Sequence, residues 1–498
     1  MLNVSLVWTA ESWQSSRWKK SVVGFSRIST FTIERRVKME FISRISDDTQ
    51  RKQVPAAREV FLIEANEKII LFSGTAGFIM EISSEERARV NKLISRPSFN
   101  LQELSVLFPE LDIDRLQVDP PVNDGVLSGN KGFQPDAAVL FPTLDCHLRC
   151  TYCYSSGGEQ KIDMDRFVAR ATIDFIIRNA VGNHSEECGL EFHGGGEPTW
   201  NWPVFEFSLD YFEAQARKHG LLPAVSLATN GMLSLRQIDR IAACIPKVQV
   251  SLDGMADIQN VQRPTSTNKR SFPIVSHTVS ALLGRGVAVT IHSVITERGI
   301  GRIPEIVRFF GENFPGAAVQ IEPNFPCGRG SVTNERFPST TLFVKGLIEA
   351  FKVAETLGVD ITYSGVNPQL DQARNRFCGI TVPNFIVTPT GLVTACNEVA
   401  EMKHPFAKYF IYGCLDRSTE RFMFDYERIA WLHSYRSSRH PECGECLARF
   451  MCAGECLVKN MSAEGVSRPS LMNPRCMINR ELTRFLVVDR IRNKKERR

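Results

Sequence analysis

Between residues 137 and 365 six short apolar runs, AAVLFPTL, CGLEFHGG, AVSLATNG, KVQVSLDG, VAVTIHSVIT and AAVQIEP, alternate with stretches long enough to be helices. A chain that repeats strand then helix six times satisfies its backbone as a parallel sheet with helical crossovers, open or curled as part of a barrel. In the first long stretch Val168, Ala171 and Phe175 share one helical face, and in the last Phe343, Leu347, Phe351 and Ala354 do the same. Four of the runs end in Gly, Asn or acidic clusters, at 194–197, 229–231, 251–254 and 322–323. The carboxyl ends of parallel strands are where α/β enzymes keep their sites.

The flanking segments read differently. VFLIEANEKIILFSGTAGFIMEIS, from Val60, predicts two or three strands with turns at Ala65–Asn66 and at Gly74 to Gly77, then a helix over SEERARVNKLI with Ser84 as N-cap. Residues 39–118 thus form a small α+β unit without cysteine, followed by a linker at 119–136. The first 38 residues hold Trp8, Trp13, Trp18 and seven basic residues without a clear period. They read as a disordered stretch ahead of a start at Met39, with a transit peptide as the alternative. Beyond Gly365 the β-α rhythm stops; residues 366–485, rich in Cys, Pro and Gly, leave little room for an apolar core, so metal is expected to hold them. The last segment, 486–498, reads as a basic, solvated tail.

A net charge of +5 over 498 residues gives no argument for nucleic acid, and no run of 18 apolar residues predicts a membrane span. Fourteen cysteines without a secretory signal point to metal or redox cofactors in a cytoplasmic protein before disulfides. In LDCHLRCTYCYSSGG, residues 144–158, Cys146, Cys150 and Cys153 stand at C-x3-C-x2-C spacing. Three thiols without a fourth suit neither a structural zinc nor an electron-transfer cluster, but they do suit a cluster with an open coordination site. With Tyr152 before the last cysteine and the loop after the first strand, the stretch closely resembles the radical S-adenosylmethionine (SAM) superfamily. The resemblance implies that the three thiolates bind a 4Fe-4S cluster whose fourth iron site chelates SAM. Reductive cleavage of SAM then gives a 5′-deoxyadenosyl radical that abstracts a hydrogen atom. It further implies that Gly195, Gly196 and Glu197 of GGGEP meet the SAM ammonium, that Ser251 and Asp253 of SLDG reach its ribose and carboxylate, and that Tyr152 lies beside the adenine. Thr229–Gly231 and Arg263 also match family positions, but a strand-end turn and a solvated charge explain them equally well; His193 reads as packing or support.

A second pattern lies downstream. Cys378, twelve residues, Gly391-x4-Cys396, Cys443-x2-Cys446-x5-Cys452-x3-Cys456 and Cys476 resemble the SPASM domain of radical SAM enzymes that modify peptides and proteins. That resemblance implies two auxiliary 4Fe-4S clusters, a distal one on Cys443, Cys446, Cys452 and Cys476 and a proximal one on Cys378, Cys396 and Cys456. The run CGECLARFMCAGEC taken alone would also suit a zinc knuckle. Of the four spare cysteines, Cys414 or Cys327 could complete the proximal cluster, or its last iron site is open.

The expected fold is therefore α/β: a partial (β/α)6 TIM-type barrel over 137–365, a small N-terminal α+β unit and a Cys-rich C-terminal iron-sulfur domain. The resemblance implies a maturase of ribosomal peptides or proteins that forms a cross-link or related oxidation, with a reducing partner such as flavodoxin or ferredoxin. Residues 39–118 are loosely similar to leader-peptide-binding units, where an extended peptide adds to a sheet edge. Two alternatives stay open: a formylglycine-generating sulfatase maturase, and a cluster carrier without catalysis. Against the first, Asn397 occupies the place after Cys396 where those maturases carry an aspartate, and an amide is a poor base.

Overall fold

The computed structural model describes residues 39–40, 60–65, 67–74, 76–96, 99, 101–111, 132–374, 376–381, 384–435, 441–444, 446–461 and 473–496. The first 38 residues and most of the expected linker lie outside this set. An antiparallel sheet comes first, with β1 (Met39–Glu40), β2 (Phe61–Ala65), β3 (Lys68–Ser73) and β4 (Phe78–Ile82) in that spatial order. Strand alternation splits its apolar side chains between two cores. Leu62, Leu71 and Ile82 pack with Val90 and Leu93 of the helix Ser84–Ile94, while Ile63, Ile70 and Phe72 join the main core of the molecule. The cap of that helix is Ser83, not Ser84. Only from Ser83 does a glutamate lie three residues on: Glu86 accepts from Ser83 N at 2.6 Å and Ser83 Oγ accepts from Glu86 N at 3.2 Å, closing a capping box.

The six apolar runs become β5 (Ala137–Leu140), β6 (Glu187–Phe192), β7 (Leu222–Thr229), β8 (Lys247–Ser251), β9 (Ala288–Ile295) and β10 (Ala318–Pro323), each parallel to the next. A seventh parallel strand, β11 (Ile361–Thr362), follows β10. On the other side β12 (Ile386–Val387) runs parallel to β5, and β13 (Leu392–Thr394), β14 (Ile411–Asp416) and β15 (Arg421–Phe424) continue antiparallel. Among the described residues β11 and β15 are the two edges of this eleven-stranded sheet.

Two expectations need correction. The segment after Gly365 has a substantial apolar core: Phe385, Val393, Phe410, Tyr412, Ile429 and Leu432 are buried with residues of the parallel strands, and Phe385, Phe422 and Phe424 close around Phe175. Its strands are two to six residues long, too short to show a period in the sequence. Nor are residues 486–496 a frayed tail. They continue the helix Pro474–Glu496, which buries Val487 and Ile491 and stacks Phe485 on Phe351. Arg490 and Arg492 flank Ile491 and the remaining basic residues follow it, which hid how far the buried face extends. No described helix is long and apolar enough to cross a membrane.

Candidate active site

The loop Cys146–Cys153 leaves the carboxyl end of β5 and is tied down along its length. Arg149 N donates to Pro264 O at 2.7 Å, Thr151 N to Gln262 O at 2.9 Å and Ser266 N to His147 O at 2.8 Å. Arg329 reaches across from beyond β10, donating from Nη1 to Cys150 O at 3.0 Å and from Nη2 to Gly157 O at 2.9 Å. The glycine turn after β6 lies flat against this loop: a Cβ at Gly196 would fall 2.1 Å from Asp145 O, and one at Gly195 2.6 Å from Leu144 Cδ2. Only glycine allows that approach.

Two buried carboxylates organise the strand ends. Glu197 Oε1 accepts from Thr199 N, Thr199 Oγ1 and Thr229 Oγ1, and its Oε2 from Asn230 N at 2.7 Å. Asp253, fully buried beyond β8, accepts from Tyr152 Oη, Gln262 Nε2 and Val294 N and pairs with Arg263 Nε at 3.1 Å. The Arg263 guanidinium lies 5.2 Å over the Tyr152 ring, close enough for a cation–π contact. Arg263 is therefore no solvated charge; it is 7% exposed and clamps Tyr152 from one side while Asp253 holds its hydroxyl. Ser251, half-buried at the end of β8, stands in register with His292. His193, just beyond β6, is stacked on Phe141, with Nδ1 accepting from Gly194 N at 2.8 Å. Burial and then His292 lower its pKa to about 4, so it is neutral at neutral pH.

The thiols behave as a set. Burial, reinforced by Cys150, Glu197 and Cys153, pushes Cys146 far up, and burial holds Cys150 at about 11. Thiols that suppress each other's ionisation in this way become thiolates when a cationic metal binds them. Donors already point at the sulfurs: Leu148 N at 3.4 Å and Asn230 Nδ2 at 3.5 Å from Cys146, and Gly157 N at 3.4 Å from Cys153. Hydrogen bonds to cluster sulfurs of this kind tune the potential of an iron-sulfur group. The donor set fits such a group.

The C-terminal cysteines fall into two neighbourhoods. Cys396 is raised by burial, Glu398, Cys456 and Cys378; Cys452 by burial, Glu455, Cys476 and Cys446. Near the first neighbourhood the buried Thr381 Oγ1 and Asn397 Oδ1 have no hydrogen-bond partner, and a cleft lined by Arg376, Cys378, Thr381, Tyr435 and Glu455 opens beside it. Among the described residues no three His, Cys, Asp or Glu side chains converge on a point where one metal ion could sit. A 4Fe-4S cubane makes no such demand, since each thiolate binds its own iron.

Asn230 and Thr229, which a strand-end turn explained equally well, hold Cys146 and Glu197; sequence reasoning missed Arg329 and Thr199, and missed that Arg475 is buried against Glu455 at 2.5 Å. The partners of Arg329 and Arg475 lie 179 and 20 residues away along the chain, and spacing carries no sign of them.

Residues 140–310 match the Radical SAM superfamily. An uncharacterized protein of Methanocaldococcus jannaschii is 27% identical over 172 residues, 34% of this chain, which spans 57% of that relative's length. Mycofactocin maturase MftC of Mycobacterium tuberculosis is 28% identical over 342 residues, 63% of this chain and 76% of its own. The solved structure of anSMEcpe with bound AdoMet and Kp18Cys peptide shares the fold, with a TM-score of 0.57 at 20% identity over 73% of this chain and 99% of that one. The match to the Radical SAM superfamily thus falls on the segment that carries the Cys146–Cys153 loop and the strand ends around it.

Proposed function

We propose that this enzyme binds SAM and a 4Fe-4S cluster at the Cys146–Cys153 loop and modifies a ribosomal peptide or protein, forming a cross-link or related oxidation. The observation that carries the reading is the three-thiol loop, held by protein donors against a glycine turn that leaves no room for a side chain. When bound, cluster and SAM supply a one-electron route to hydrogen-atom abstraction from an unactivated carbon. Cys146, Cys150 and Cys153 would hold the cluster. Gly195 and Gly196 bring backbone to the ligand, Tyr152 offers its ring to the adenine, and Glu197 and Ser251 offer oxygens. Asp253 serves by fixing Tyr152 and Arg263, since each of its oxygens already meets two protein donors; Glu197 Oε2 meets only Asn230 N among the described residues and keeps a lone pair for the ligand.

The C-terminal cysteines would hold two further clusters that accept an electron when a substrate radical is oxidised, and a low-potential protein such as flavodoxin or ferredoxin would deliver the first one. Relatedness to a maturase supports a peptide substrate. The N-terminal unit supports it too: both faces of β1–β4 carry core residues, so an extended peptide can join this sheet only along an edge. A sulfatase-maturase reaction is less favoured, because Asn397 supplies no base. Anaerobic reconstitution with iron, sulfide, SAM and dithionite tests the reading. Iron near about twelve per chain and release of 5′-deoxyadenosine are expected. No 5′-deoxyadenosine would leave a cluster carrier, and iron near about four would remove the auxiliary pair.

A further inference from the structure

Cys378, Cys396 and Cys456 leave one corner of a four-ligand cluster unassigned, and the structure separates the two candidates for it. Cys414 is exposed on β14, directly opposite Met423, which is itself 58% exposed. Its strand turns it toward solvent.

Cys327 lies in the loop after β10, and that loop is pinned at both ends. Gly328 has φ 52° and sits so close to the first cysteine loop that a Cβ there would fall 2.2 Å from Tyr154 O. Arg329 N donates to Cys153 O at 2.9 Å. On the other side the Lys459 ammonium lies 5.4 Å over the Phe325 ring and pairs with Glu398 at 3.2 Å. Glu398 is two residues beyond Cys396 and Lys459 three beyond Cys456. The loop therefore spans from Cys153 to the Cys396–Cys456 neighbourhood, and the charged groups acting on the Cys327 thiol are Glu398, Lys459, Cys153 and Cys456. The Cys153 set keeps its open corner for SAM. The other set lacks a protein ligand.

We propose that Cys327 is the fourth ligand of the cluster held by Cys378, Cys396 and Cys456. The assignment rests on the auxiliary-cluster reading above. On ligation an Fe–S bond forms and the thiol proton leaves to solvent, with no electron exchanged. A cluster closed in this way takes up electrons and does not bind substrate at iron, which confines substrate to the space between this loop and the strand ends.

Thiol footprinting of the reconstituted wild-type protein tests the assignment without a variant. Iodoacetamide is expected to label Cys414 and spare Cys327 while iron is bound, with Cys327 labelling at least about tenfold faster once iron is chelated. Cys188, buried outside both neighbourhoods, serves as the burial control and stays unlabelled in both states. In a second measurement Cys327→Ala alters the electron paramagnetic resonance spectrum of the reduced auxiliary cluster and makes it respond to added imidazole, whereas wild type and Cys414→Ala do not respond. Labelling of Cys327 at the Cys414 rate with iron near about twelve, or a wild-type spectrum that shifts with imidazole, overturns the assignment and leaves the enzyme reading standing. Iron near about four overturns the auxiliary-cluster reading and this assignment with it.

Discussion

The two cysteine-bearing regions are held by different means. The loop at 146–153 is fastened by groups that arrive from several strand ends, among them Arg329, Gln262 and Asn230, of which Asn230 is fixed by the buried carboxylate of Glu197 and Gln262 by that of Asp253. Cys443 to Cys456 instead ride on helical turns of four residues, Pro441–Gly444 and Arg449–Cys452, followed by a third, Leu457–Asn460. Ala453 and Glu455 between them take left-handed backbone, φ 54° and 66°. Helices this short do not persist alone, and non-glycine residues in that region store strain that the surroundings must outweigh. The first region is organised by the sheet before metal arrives; the second is expected to need its metal for its shape.

Iron removal should break the contrast most visibly. Chelation is expected to strip amide-exchange protection from 446–461 while β5 to β10 keep theirs, and equal losses in both, measured by hydrogen-deuterium exchange, would abolish the distinction. Next come the two buried acid–arginine pairs. Asp253→Ala leaves Arg263 buried without its partner and should cost about 3–5 kcal/mol in denaturant unfolding, with or without iron. Glu455→Ala removes the nearer of two carboxylates on Arg475 and leaves Glu322 at 3.4 Å, so a smaller cost of about 1–3 kcal/mol is expected, in full only in the iron-loaded protein.

A pH dependence sharpens the side of the parallel sheet. His193 is held at about 4, below the ordinary value for an unfolded histidine. Above both values the two states are neutral and stability is full; as pH falls through the unfolded value the unfolded chain takes up the proton first, so stability is lost. Between pH 7 and 5 the loss should be about 2 kcal/mol in iron-free protein. That figure is the share of His193, and His193→Phe should remove it while leaving what His147, His292 and His404, each lowered by burial in the same direction, contribute. The smallest effect belongs to Arg329→Lys, which loses the fork that reaches both Cys150 O and Gly157 O and should cost about 1 kcal/mol. Its iron content should stay unchanged, since neighbouring ties remain.

What could be read in advance follows from the range of each interaction. The six strands showed because period-2 apolar residues and strand-end glycines are local, and the cysteines showed because ligand spacing within a loop is local. The helix cap was missed by one residue, since Ser83 and Ser84 both qualify until the position of Glu86 decides between them. Arg263 looked like a surface charge because the partners that bury it, Asp253 and Tyr152, come from another strand end and another loop. The extension of the sheet through β12 to β15 was invisible for a similar reason: two-residue strands such as Ile386–Val387 have no pattern of their own and exist because β5 offers an unpaired edge.

That extension couples the two cysteine-bearing segments. β5 leads to Cys146 and β13 leads to Cys396, and the two strands are separated by β12 alone within one hydrogen-bonded sheet. β12 runs parallel to β5 and β13 returns antiparallel to it, so the chain leaves the sheet toward the two cysteines in opposite directions. A slip of register in β12, whose two residues bridge the two halves, would disturb both segments at once.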